Sequence, residues 1–265
     1  MKIKRIDVNN PIDIRENLTD SLKNTGFAVF TGNPDFTYVY DTWKDFFQAP
    51  LDVKAKFAFD RSQQHQNGYF PYKSENAKGE VNPDLKEFYQ IYHNTGYPDQ
   101  QIAHQMFGLH ARLTNLARIA LAEIGEDLYL GNILNEVTRN SPTLLRVIYY
   151  PEIPNNEKGV RAAAHEDINL ITLLPASTNP GLQVKDTEGN WYDVGTEKGD
   201  IIVNVGDMLQ MLSKGKYKST THRVINLPGD RLSMPMFVHP VSNYSLGEMT
   251  AGEYLDQRLR EIGLK

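Results

Sequence analysis

From residue 141 onward the chain is a series of short apolar runs separated by turn residues, and this pattern constrains the fold most. Residues 143–150, 168–174, 182–185, 191–194, 200–205, 220–226 and 232–238 each have strand length. Between them stand Asn179-Pro180-Gly181, Glu188-Gly189-Asn190, Gly206-Asp207 and Pro228-Gly229-Asp230, residue types that turn a chain. Many short strands at such spacing predict an all-β sandwich or barrel. Residues 253–262 close the chain as a helix.

The first half is mixed. Residues 3–8 alternate weakly, as a short strand does. Residues 15–25 carry Leu18 and Leu22 at helical spacing and stop at Gly26, a predicted C-cap. Residues 27–30, FAVF, read as a buried strand. Residues 35–48 put Tyr38, Trp43, Phe46 and Phe47 on a helix that ends before Pro50, and 51–57 form a shorter one. Residues 98–129 hold the longest helix, with Met106, Leu109, Leu113, Leu116, Ala120 and Ile124 in one apolar stripe. His104 and His110 lie near it and read as surface or core histidines. Residues 67–93 are rich in Gly, Pro and aromatics and end in a predicted strand at 87–92. They read as a cover for one end of the core, with a pocket wall or lid as the functional alternative.

Composition narrows the function. With 265 residues, 40% of them hydrophobic, the chain can bury a full core. The net charge of −5 mixes both signs with no basic stripe, which argues against nucleic acid. Cysteine is absent, so disulfides, thiolate metal sites and a cysteine nucleophile are excluded. No segment reads as a secretory signal or a membrane span, so the expectation is a soluble cytoplasmic protein without a membrane partner.

The chemistry concentrates in residues 161–174, RAAAHEDINLITLL. His165 and Asp167 are two apart in a strand-like run, where residues i and i+2 share a face. An imidazole and a carboxylate projecting together supply two-thirds of a 2-His-1-carboxylate triad, which suits non-haem Fe(II). H-x-D alone is a weak signal. A third ligand should be a histidine on another core strand. Of seven histidines, His222 in STTHRVIN is best placed, with His239 next. Arg231 and Ser233 again share a face, opposite Leu232, Met234 and Met236. A guanidinium turned inward needs an anion, and its fork matches a carboxylate. The pair reads as a clamp for the far carboxylate of a dicarboxylic acid.

With these residues in place, the chain resembles the isopenicillin N synthase-like family of Fe(II)/2-oxoglutarate-dependent dioxygenases. The matching segments are HEDINLITLL, GLQVKDTEGNWYDV, IIVNVGDMLQMLSKGKYKSTTHRVIN, RLSMPMF and TLLRVIYYP, with GFAVFTG, FFQAPLDVKAKF and NPDLKEFYQIY upstream. The resemblance implies a mainly β fold with flanking helices around a double-stranded β-helix, or jelly-roll, core. It divides the chain into a mixed α/β region at 1–140 and the jelly-roll core with its C-terminal helix at 141–265. It implies His165, Asp167 and His222 as iron ligands, Arg231 and Ser233 as contacts to the C5 carboxylate of 2-oxoglutarate, and Tyr150 as a support for that co-substrate. The implied reaction uses O2 to hydroxylate, desaturate or cyclise a small-molecule metabolite, with release of succinate and CO2. Two alternatives stand beside it: an Fe(II) oxidase of the isopenicillin N synthase type that dispenses with 2-oxoglutarate, and a non-catalytic jelly-roll metal-binding protein. The chain departs from the plant pattern at Ile148, where those members carry Asn, and at Gly32-Asn33-Pro34, where they carry Asn-His-Gly. Tyr69, Phe70, Tyr72, Phe88, Tyr89, Leu209 and Phe237 are the expected pocket residues, with His239 near them. They suggest a partly apolar substrate. The sequence specifies neither the substrate nor the oligomeric state.

Overall fold

Strand β1 (Arg5–Asp7) leads into helix α1 (Pro11–Thr25). The Asn10 side chain accepts from the Ile12 and Asp13 N–H groups, Pro11 fills the first helical turn, and Gly26 ends the helix at φ 72°. This is the computed structural model of the chain, and it describes residues 1–60, 66–76, 82–93, 95–154, 157–262 and 264. Strand β2 (Phe27–Thr31), helix α2 (Tyr38–Gln48) and the short α3 (Leu51–Lys54) follow. Next comes a hairpin that the sequence reading half missed, β3 (Gly68–Phe70) and β4 (Glu87–Tyr92). The long helix α4 runs from Gln100 to Asp127, capped by Asp99, and the short α5 spans Ile133–Val137. No helix among the described residues is long and apolar enough to cross a membrane.

The second half supplies β5 (Leu144–Tyr150), β6 (Ala162–His165), β7 (Ile171–Pro175), β8 (Leu182–Lys185), β9 (Trp191–Asp193) and β10 (Ile201–Val205). After α6 (Asp207–Leu212) come β11 (His222–Val224), β12 (Arg231–Ser233), β13 (Met236–Val238) and α7 (Ala251–Glu261). The run at 232–238, read as one strand, is two. Pro235 has no N–H for a ladder and falls between them.

The strands form two sheets. The larger is ordered β1-β2-β10-β7-β13-β5-β4-β3, with β12 also paired to β5, and the smaller is β6-β11-β8-β9. From β5 to β13 the chain passes back and forth between them, with β8–β9 and β12–β13 each staying in one sheet, which is the winding of a double-stranded β-helix. Strands β1 to β4 extend the larger sheet on both sides. One apolar cluster, including Leu18, Trp43, Leu113, Val147 and Leu173, fills the space between the larger sheet and helices α1, α2 and α4. A second, including Phe27, Phe88, Ile148, Val184 and Val224, lies between the sheets. The inner face of β5 therefore carries Arg146, Ile148 and Tyr150, while Leu145, Val147 and Tyr149 turn to the helices.

Candidate metal centre and its cavity

His165 ends β6 and His222 begins β11, and the two are directly paired across the ladder. Asp167 lies beyond the end of β6, in the turn toward β7, so it shares no strand face with His165 as the sequence suggested. The turn is held against the next one. Gly206, Asp207 and Met208 donate N–H groups to the carbonyls of Leu170, Asp167 and Ile168 at 2.9, 2.7 and 3.2 Å. Only glycine allows that approach, because a Cβ on residue 206 would sit 2.1 Å from the Asn169 carbonyl oxygen.

The turn aims the Asp167 carboxylate. Its Oδ2 accepts from the Thr172 hydroxyl at 2.5 Å and the Asn204 amide at 2.8 Å. Its Oδ1 faces His165 Nε2 at 4.0 Å and His222 Nε2 at 3.7 Å. Each imidazole uses Nδ1 on the carbonyl two residues back, His165 on Ala163 at 2.7 Å and His222 on Thr220 at 3.1 Å. A carbonyl only accepts, so Nδ1 carries the proton and Nε2 keeps its lone pair. Burial and the neighbouring His222 lower the His165 pKa against the pull of Asp167. Burial raises the Asp167 pKa, but the two histidines and the Thr172 and Asn204 hydrogen bonds outweigh it and hold the group below its ordinary value. A neutral imidazole and an ionised carboxylate are the forms that bind metal. The ligand atoms lie within 4.8 Å of one another, among the described residues the one such cluster suited to an ion. The donor set fits Fe(II).

Arg231 and Ser233, the pair expected as a carboxylate clamp, both lie on β12 and are buried. Arg231 pairs across the ladder with Tyr150, and Ser233 with Ile148. Arg231 is 1% exposed, its guanidinium 5.3 Å from the Tyr150 ring centre. Its Nε donates to the Asn179 carbonyl at 3.0 Å, while Nη1 has no partner. Burial lowers its pKa, and no carboxylate among the described residues lies within ion-pair distance. A buried cation without a counter-charge fits an anionic ligand.

A cavity of about 350 Å³ opens beside His165 and Asp167. Its walls differ from the aromatic pocket that the sequence suggested. Only Phe237 and His239 of the expected residues line it. Tyr69, Phe70, Phe88, Tyr89 and Leu209 are buried in the cores, and Tyr72 is 37% exposed. The reason is the unrecognised hairpin, since β3 pairs Tyr69 with Tyr89 and Phe70 with Phe88, sending each pair into an apolar layer. The segment 67–93 does wall the cavity, through Glu75, Asn76, Asp84, Lys86, Gln90 and Tyr92. Residues 77–81 of it lie outside the described residues. Glu75 joins Arg146 at 3.1 Å and Lys86 at 2.7 Å, and Lys86 also meets Asp84 at 2.7 Å. Asp84 in turn accepts the Ala163 N–H at 3.0 Å, tying this network to the strand that carries His165. Helix α7 closes one side with Leu255, Arg258, Leu259 and Ile262.

Residues 142–240 match the 2OG-Fe(II) oxygenase superfamily model, and residues 6–111 match the N-terminal model described as non-haem dioxygenase in morphine synthesis. A Shewanella oneidensis protein assigned as an oxygenase superposes with a TM-score of 0.80 at 38% identity, covering 98% of both chains. The chain belongs to the 2OG-Fe(II) oxygenase superfamily. Among curated members of this superfamily, the 2-oxoglutarate-dependent dioxygenase citB of Monascus ruber is 30% identical over 76% of this chain and 69% of its own length. The bifunctional coumaroyl CoA and feruloyl CoA ortho-hydroxylase F6H2-1-1 of Ipomoea batatas is 38% identical over 47% of this chain. That match spans only 37% of the Ipomoea enzyme's length.

Proposed function

We propose that the chain is an Fe(II)- and 2-oxoglutarate-dependent oxygenase that hydroxylates, desaturates or cyclises a small metabolite, releasing succinate and CO2. The reading includes His165, Asp167 and His222 as the metal ligands, and Arg231, Ser233 and Tyr150 as the co-substrate contacts. It also takes the cytoplasm as the working compartment. The observation that carries it is the pairing of two incomplete sites: three converging ligand atoms, and a buried guanidinium with no carboxylate.

Iron held by this triad supplies O2 activation, with 2-oxoglutarate as the electron donor. The chain's own groups set the geometry. The two carbonyls behind the imidazoles fix their tautomers, and Thr172 and Asn204 fix the carboxylate, so the ligands are oriented before an ion arrives. Arg231 anchors one end of a dicarboxylate, which leaves its other end for the metal. Ile148, opposite Ser233, makes the neighbouring contact apolar where plant members carry an amide. Arg231 suits either this reading or an oxidase that uses no 2-oxoglutarate, and succinate release coupled to substrate oxidation separates the two.

The test is succinate formation from purified protein, assayed with Fe(II) against a metabolite panel. Succinate that requires Fe(II) and vanishes in His165→Ala, Asp167→Ala and His222→Ala variants of unchanged circular dichroism supports the reading. Substrate oxidation that proceeds without 2-oxoglutarate would assign the chain to the oxidase class instead.

A further inference from the structure

Gln90 lies on the inner face of β4, with its backbone in the ladder on both sides, opposite Arg146 on β5 and Gly68 on β3. The side chain is fully buried and stands on the wall of the cavity beside His165 and Asp167. Neither its Nε2 nor its Oε1 has a hydrogen-bond partner. A buried amide left wholly unpaired destabilises a fold, so its retention calls for another explanation.

The polar groups around it are already committed. Arg146 is held by both Glu75 oxygens, Lys86 by Glu75 and Asp84, and Arg258 by Glu261 at 2.9 Å. The cavity's cations therefore each have a carboxylate, and the wall does not select for a charged ligand. His239 uses Nδ1 on the Phe237 carbonyl at 3.1 Å, which leaves Nε2 as an acceptor on the same wall. Phe237 adds a flat apolar ring, 5.6 Å from the Arg146 guanidinium.

We propose that Gln90 is the specificity residue for the primary substrate, and that it reads an amide edge. One carboxamide offers a donor and an acceptor side by side, and its complement is an N–H next to a C=O. The substrate class is a neutral carboxamide, lactam or imide small enough for a cavity of about 350 Å³. This rests on reading the cavity as the oxygenase's substrate pocket.

The experiment compares 2-piperidone, which has the amide edge, with cyclohexanone, which has the same ring and no N–H. Both are titrated by ligand-observed NMR into the full chain loaded with Mn(II), in wild type and in Gln90→Leu. Gln90→Met, unbranched like glutamine, is the paired variant should leucine disturb packing. The wild type should prefer the lactam about tenfold or more, since a site built to hydrogen-bond rejects a ligand lacking the group. Either variant should bring the two within about threefold while melting no lower than wild type, because the lost amide makes no internal bond. A lactam preference that survives in both variants overturns the inference, and so does a wild type that shows no preference or binds neither probe. Mn(II) broadening of the bound probe reports the metal separately. A Gln90-dependent preference without broadening leaves this inference standing and removes the metal reading, and broadening without preference does the reverse.

Discussion

Two arginines on the inner face of the larger sheet, one half-buried and one fully buried, show how position decides role. Arg146 on β5 is gripped by both oxygens of Glu75 and lies 4.3 Å from the centre of the Phe88 ring. Arg231, on the strand paired with the far end of β5, is more deeply buried, has no carboxylate within ion-pair distance among the described residues and leaves Nη1 unpaired. The first guanidinium is part of the wall, its charge neutralised within the fold. The second has its charge unneutralised by the fold, which is what a site for an incoming carboxylate requires. The same residue type thus serves architecture at one end of β5 and, in the proposed function, ligand binding at the other.

The sharpest way to break this contrast is to remove each counter-charge in turn. Glu75→Gln should cost about 3–5 kcal/mol of stability by chemical denaturation, because it leaves Arg146 without its carboxylate and weakens Lys86. Arg231→Met should change stability by no more than about 1 kcal/mol, or raise it, since it removes a charge with no partner. Its effect should fall on 2-oxoglutarate binding instead, a loss of about 2–5 kcal/mol. Arg231→Lys should recover little of that, a point charge being unable to reproduce the fork.

The Glu75 side of the comparison also has a pH signature. Burial pushes its carboxyl up, but Arg146 and Lys86 overcome this and hold its pKa at about 2, against an ordinary 4.5. A depressed folded-state pKa stabilises above the ordinary value, and that stability is lost as pH falls. The contribution, about 3 kcal/mol, should therefore disappear between about pH 4.5 and 2 in wild type. Glu75→Gln should flatten that part of the stability–pH curve. An unchanged curve would mean the network is not coupled as described.

Smaller effects test how the site is tuned. Thr172→Val removes one of the two hydrogen bonds on Asp167 Oδ2 and should weaken Fe(II) or Mn(II) binding by 10–100-fold, about 1.4–2.7 kcal/mol, by titration calorimetry. Full affinity in that variant would show that the backbone turn alone orients the carboxylate. Tyr150→Phe should cost about 0.5–1.5 kcal/mol of 2-oxoglutarate affinity, the worth of one ordinary hydrogen bond.

Much of this was legible in the residues themselves. Short strands between turn residues gave the β architecture, and H-x-D, the later His222 and R-x-S named the groups that the fold brings to its inner face. What stayed hidden has physical causes. A three-residue strand such as β3 is too short to show alternation, so Tyr69 and Phe70 looked like loop aromatics free to line a pocket. The cavity wall is instead charged, since pairing among Glu75, Lys86 and Arg146 is set by tertiary contact, which spacing along the chain does not reveal. The turn that carries Asp167 reads as strand because it runs directly into the apolar residues of β7, and the H-x-D spacing mimics strand alternation. One signal was available: Asn204 is a polar residue within the apolar run IIVNV, and a buried amide there needs a partner, which is Asp167.

The central claim is that Arg231 completes a 2-oxoglutarate site beside the His165, Asp167 and His222 cluster. The direct measurement is an anaerobic calorimetric titration of 2-oxoglutarate into Fe(II)-loaded protein, wild type against Arg231→Met. The prediction is saturable binding in wild type and a dissociation constant at least about 30-fold higher in the variant, the equivalent of about 2 kcal/mol. Equal constants in the two proteins, or no binding in wild type, would contradict it.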